Sequence, residues 1–88
     1  MVSPVVAEFL GTYVLIAAIA FFGTPLMIVA AFALAVFLAG PISGAHLNPA
    51  VTLWALLSGK VGQTKALSYV GAQLLAATAV WGVKKAFM

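Results

Sequence analysis

Apolar and polar residues fall into long blocks along this chain. Neither the period of 3.6 expected of a helix with one wet face nor the period of 2 of a half-buried strand runs through it. From Pro4 to Phe22 the sequence is apolar except for Glu8, Thr12 and Tyr13. Gly23-Thr24-Pro25 then breaks the run with turn residues. A second apolar block covers 26–42, with Pro41 near its end. A short polar, Gly-containing segment follows at 43–47, then a brief apolar stretch at 49–57. Ser58 to Thr64 is the one clearly hydrophilic loop, and 65–87 forms the last apolar block. Apolar blocks of about 18 residues or more read as transmembrane helices. The pattern therefore predicts an all-α membrane protein with one domain over 1–88. Its full spans lie at 4–22, 26–42 and 65–87, with one shorter helix at 49–57.

The short helix is the informative one. It opens at Asn48-Pro49, and both residues mark a helix start: Asn is a preferred N-cap and Pro is favoured at the first helical position. About nine residues at ~1.5 Å each give ~14 Å, half of a ~30 Å hydrocarbon core. A half-helix of this kind, entered through a re-entrant segment, points its N-terminus at the bilayer midplane. Membrane proteins build sites for polar solutes in that way.

Composition strengthens the membrane reading. The chain has 88 residues, 66% hydrophobic and 6% charged, and a mean hydropathy of +1.26; too little polar surface would remain to face water. The 18-residue apolar stretch lacks a basic n-region, so it reads as a span and not as a cleaved signal. There is one acidic residue, Glu8, one His, His46, and no Cys. No carboxylate pair, phosphate-cradling loop or metal-ligand spacing is present, so the sequence does not read as an enzyme and calls for no metal or cofactor. The net charge of +3 is too sparse for nucleic acid. If the spans alternate sides, Lys60 and Lys65 lie at one face of the bilayer and Lys84 and Lys85 at the other. Lys/Arg asymmetry normally sets orientation, and here it nearly cancels. The chain is thus expected to insert both ways round. The alternative is that Lys84 and Lys85 only snorkel at a helix end.

Small residues recur at helical spacing: Ala7 and Gly11 in the first span, Ala31, Ala35 and Ala39 in the second, Ser68, Ala72 and Ala76 in the third. Such faces let helices approach closely in lipid. Asn48 is the leading candidate for function, with Pro49 and Ala50. Its side-chain amide is free to donate to a solute, and the helix N-terminus adds unpaired N–H groups and partial positive charge. Gly44, Ala45, His46 and Leu47 are expected to be extended, with carbonyls lining a wet path. Glu8 has three readings: a brace accepting hydrogen bonds from the re-entrant backbone, a side chain snorkelling to the interface, or a proton or cation site of a transporter. His46 reads as loop support or as a pore-facing group. Gln73 reads as a hydrogen-bonding partner of the re-entrant loop or of a neighbouring helix. Tyr13, Trp54, Tyr69 and Trp81 read as core or interface residues.

Three motifs, in order, resemble those of the aquaporin and glycerol-facilitator family, the major intrinsic proteins. They are Ala7-Glu8-Phe9-Leu10-Gly11-Thr12, Ser43-Gly44-Ala45-His46-Leu47-Asn48-Pro49-Ala50-Val51-Thr52, and Tyr69 with Ala72-Gln73. Family members consist of two inverted repeats of three spans plus a half-helix, whose two Asn-Pro-Ala half-helices meet at the midplane. This chain resembles one such repeat, a half-aquaporin. The resemblance implies a passive channel for water and small neutral solutes such as glycerol, made by two chains in opposite orientations and grouped as a tetramer of dimers. It implies residence in the plasma or inner membrane. It maps the selectivity filter to Ile28, Ala45 and Val51, with Val51 standing where the family's second signature carries Arg. The mouths would then be apolar and uncharged. Competing expectations are a dual-topology transporter coupled to protons through Glu8, a half-channel that needs a separate second half, and a small lytic oligomer.

Overall fold

The computed structural model describes residues 2–87. They form four helices and no strand: α1 (Pro4–Phe21), α2 (Pro25–Ser43), α3 (Pro49–Leu57) and α4 (Gln63–Phe87). The helix starts follow one local rule. Each of α1, α2 and α3 begins with a proline preceded by a capping side chain. Ser3 accepts from the Val6 N–H, Thr24 from Met27 and Asn48 from Ala50. Each cap thus satisfies one of the donors that a helix N-terminus leaves open. Gly44, left-handed at φ 87°, ends α2. Gly59, at φ 74°, ends α3, and the Lys60 N–H turns back onto the Ala55 carbonyl. These are positions where a side chain would be strained. α4 begins two residues before the predicted Lys65, because the Ala66 N–H bonds the Gly62 carbonyl and adds part of a turn.

α1, α2 and α4 are long and apolar enough to cross a membrane. α3, with nine residues, is not. α1 lies between the other two spans; α2 packs on α1, and α3 packs on α4. The contacts are made by small side chains. Ala7, Gly11 and Ala18 of α1, Ala35 and Ala39 of α2, and Ala66, Ala72 and Ala76 of α4 are buried. Ala31 and Ser68 are only half-buried, so two of the expected stripes end one residue early. The large apolar residues point outward instead. Leu26, Phe37, Leu57, Leu67 and Phe87 are all well exposed, as lipid-facing residues are when the solvent is itself apolar.

Candidate functional site

The centre of the molecule is polar. Glu8, on the second turn of α1, is fully buried. Its carboxylate accepts four hydrogen bonds from three other parts of the chain. Oε2 accepts from the Ser43 hydroxyl at 2.6 Å and the His46 N–H at 2.9 Å. Oε1 accepts from the Leu47 N–H at 2.8 Å and the Gln73 amide at 2.9 Å. A buried carboxylate is costly unless its lone pairs are filled; here both oxygens are used twice. Nothing in this placement lets Glu8 reach a headgroup.

The donors converge because of the backbone path through 43–47. Gly44, Ala45 and Leu47 all have positive φ, at 87°, 49° and 55°. This corrects the expected extended conformation. Left-handed residues turn successive N–H groups to the same side, and such a nest binds an anion. The Ala45 N–H goes to Ser43 Oγ, and the next two go to Glu8. Left-handed Ala and Leu cost roughly 1–2 kcal/mol each, and the charge-assisted bonds to Glu8 offset that strain. The carbonyls of 44–47 accept no hydrogen bond from the described residues.

A second layer holds the first. Gln73 Nε2 also donates to Thr52 Oγ1 at 3.0 Å, and Thr52 Oγ1 lies 2.9 Å from His46 Nδ1. The His46 ring meets Tyr69 edge-on at 5.0 Å, and the Tyr69 hydroxyl donates to the Ser43 carbonyl at 2.8 Å. α1, α4, the re-entrant segment and α3 are therefore tied together through one carboxylate. Gly11 makes the close approach of Leu47 to α1 possible: a Cβ there would lie 2.6 Å from Leu47 Cδ2.

Asn48 stands at the edge of this cluster and is exposed. Its Oδ1 accepts from the Ala50 N–H at 2.8 Å. That bond fixes the amide's orientation, since a backbone N–H requires the oxygen. Nδ2, with two donors, bonds no described residue. Pro49 is half-buried and Ala50 and Val51 are exposed beside it. The structure thus brings Glu8, Gln73, His46 and Leu47 together and sets Asn48 and Val51 on the open side of α3. It does not bring Ile28 to Ala45 and Val51. Ile28 lies near the start of α2, about 22 Å along that helix from its end at ~1.5 Å per residue. Ser43, Thr52 and Tyr69 belong to the cluster although they were given no part in it. Thr52 is one turn after Asn48, and Tyr69 one turn before Gln73 on the same face of α4. That i, i+4 spacing was the available signal. No group of metal-ligating side chains assembles among the described residues.

Three membrane-length helices and a capped half-helix braced from within define an integral membrane protein of the re-entrant type. The family model of the major intrinsic proteins matches residues 1–88, and the chain belongs to that family. It is 40% identical to aquaporin-5 of Mus musculus, an alignment covering 92% of this chain and 35% of that protein. It is 35% identical to glycerol uptake facilitator protein-like 6 of Lactiplantibacillus plantarum, covering 93% of this chain and 42% of that protein. A shorter match, 55% identical over 48% of this chain, is to aquaporin A of Dictyostelium discoideum, of which it covers 15%. The chain thus spans well under half the length of these relatives. No solved structure gives a significant match.

Proposed function

We propose that this chain forms a passive channel for water and small neutral solutes such as glycerol by pairing with a second copy in the opposite orientation. The observation that carries the reading is Asn48. Its oxygen is spent on the helix cap, and its two amide donors face open space beside unbonded carbonyls. Donor and acceptors side by side at membrane depth suit a solute that both donates and accepts. The partial positive charge at the α3 N-terminus orients such a solute by its oxygen and opposes cations. The residues present supply one half-helix of about 14 Å, half of what a continuous path across the core requires. An inverted copy supplies the other half. It also brings Ile28 of one copy toward Ala45 and Val51 of the other, forming a wide, uncharged mouth.

Balanced anchoring favours the inverted pair. Lys60 sits 5.5 Å from the Trp54 ring at one face, and Trp81 stands beside Lys84 and Lys85 at the other. Each face has two lysines and one exposed tryptophan, so neither insertion direction is favoured by charge. The relatives named for water and glycerol channels support the solute class. Proton-coupled transport through Glu8 fits less well, because every donor that the carboxylate meets is a protein group holding the fold together.

The test is stopped-flow light scattering on proteoliposomes, with an impermeant sugar and then glycerol as osmolyte. Fast shrinkage, slowed at least tenfold by Asn48→Asp, is expected, followed by re-swelling in glycerol. Shrinkage at the rate of empty liposomes, for protein shown to be folded, would contradict the homodimeric channel and point to a separate second half.

A further inference from the structure

We infer that the cleft between α1 and α4, at the membrane face opposite the α3–α4 loop, binds one anionic phospholipid. The cleft measures about 540 Å³. Ala20 and Ala77 leave the space, and Ile16, Val80 and the exposed Trp81 wall it with apolar surface. That lining suits an acyl chain. Lys84 and Lys85 stand at its rim. Lys84 is half-buried and donates from Nζ to the Ala20 carbonyl at 2.8 Å, so its ammonium is held over the last turn of α1. An ammonium carries three donors, and two remain for a phosphate oxygen.

Charge complementarity selects the headgroup. The chain's one acidic side chain, Glu8, is enclosed by Ser43, His46, Leu47 and Gln73. It is unavailable to Lys84 and Lys85, which make no ion pair among the described residues. Two lysines at the rim of an apolar slot, beside an exposed tryptophan, match a phosphodiester on acyl chains. The opposite face differs: Lys60 and Lys65 lie over the Trp54 and Tyr69 rings. The lipid would occupy the α1–α4 seam on the outside of the bundle, independently of the path proposed beside Asn48.

Native mass spectrometry of the detergent-solubilised protein tests this with phosphatidylglycerol, phosphatidylcholine and chain-free glycerophosphate as probes. Phosphatidylglycerol is expected to bind selectively, about fivefold more weakly in each of Lys84→Gln and Lys85→Gln. Lys85 is exposed and outside the Ala20 contact, so Lys85→Gln keeps the test valid if Lys84→Gln unfolds. Ala77→Phe, which fills the cleft, should abolish binding, and Lys60→Gln should leave it unchanged. Equal binding of phosphatidylcholine, indifference to the lysine variants, or full binding by glycerophosphate alone would overturn the assignment. So would loss of a protein dimer in Ala77→Phe with no change in lipid binding, which would give the cleft to a second copy. Permeability plays no part in the readout, so the lipid site and the channel stand or fall separately.

Discussion

Replacing Glu8 by Gln removes one negative charge and turns one acceptor oxygen into an NH₂ donor, with almost no change in shape. Four donors point at the native carboxylate. Each of its oxygens meets one backbone N–H, from His46 or Leu47, together with one side-chain donor. Whichever way the new amide sits, one backbone N–H faces another donor and has no partner. The side-chain donors can adjust: the Ser43 hydroxyl can rotate, and Gln73 has a buried Oε1 without a donor that a flip would present. The backbone cannot. A buried unpaired N–H costs about 1–3 kcal/mol, and the surviving bonds lose their charge assistance. The total comes to about 3 kcal/mol. The loss should concentrate where the left-handed residues Ala45 and Leu47 depend on Glu8 to hold them. Reversible unfolding in mixed detergent micelles, followed by circular dichroism, measures it. Protection of the 44–48 amides from hydrogen exchange should fall in the same variant before global unfolding. A Glu8→Gln protein within about 0.5 kcal/mol of wild type, a spread usual for uninvolved sites, would refute the argument that this carboxylate organises the re-entrant segment.

Further expectations rest on other contacts. Thr52→Val keeps the shape but leaves Gln73 and His46 without Thr52 Oγ1, and should cost about 2 kcal/mol in the same unfolding assay. Gly11→Ala forces Leu47 Cδ2 away from a Cβ that would stand 2.6 Å from it; a loss of about 1–3 kcal/mol is expected, reduced when Leu47→Ala is combined with it. Lys84→Met leaves the Ala20 carbonyl without the Lys84 ammonium that bonds it, and should lower stability by about 1 kcal/mol, whereas Lys85→Met should not.

The membrane architecture was legible because block length and a few local signals decide it. Pro4 and Pro49 mark two helix starts and Gly59 marks one end, whereas Pro25, read as part of a turn, begins α2, and Gly44, read as extended, ends it. The early start of α4 was less legible, since Gly62 as the residue before a helix resembles any other loop glycine. The re-entrant segment was misread as extended for a physical reason. Ala45 and Leu47 have no intrinsic taste for positive φ. They adopt it because Glu8, some 38 residues before His46 in the chain, gathers the N–H groups of His46 and Leu47 and holds Ser43, whose Oγ takes the Ala45 N–H, and a local reading cannot see that tertiary force. Glu8 itself stood out as a carboxylate in an apolar span. Ser43, Thr52 and Tyr69 did not stand out, because isolated hydroxyls in membrane helices more often return a bond to their own backbone, as Ser68 does to Thr64 and Thr78 to Leu74. Ile28 and Val51 lie far apart within one chain, so their proposed meeting depends on a second copy.

That dependence makes the central claim measurable. The osmotic water permeability of proteoliposomes should be recorded over a wide range of protein-to-lipid ratios, with the fraction of folded protein held constant. If two oppositely oriented chains make one pore, permeability should rise with the square of protein density while chains are dilute and become linear once pairing saturates. A rise that is linear from the lowest density, or permeability at the level of empty liposomes throughout, would contradict it.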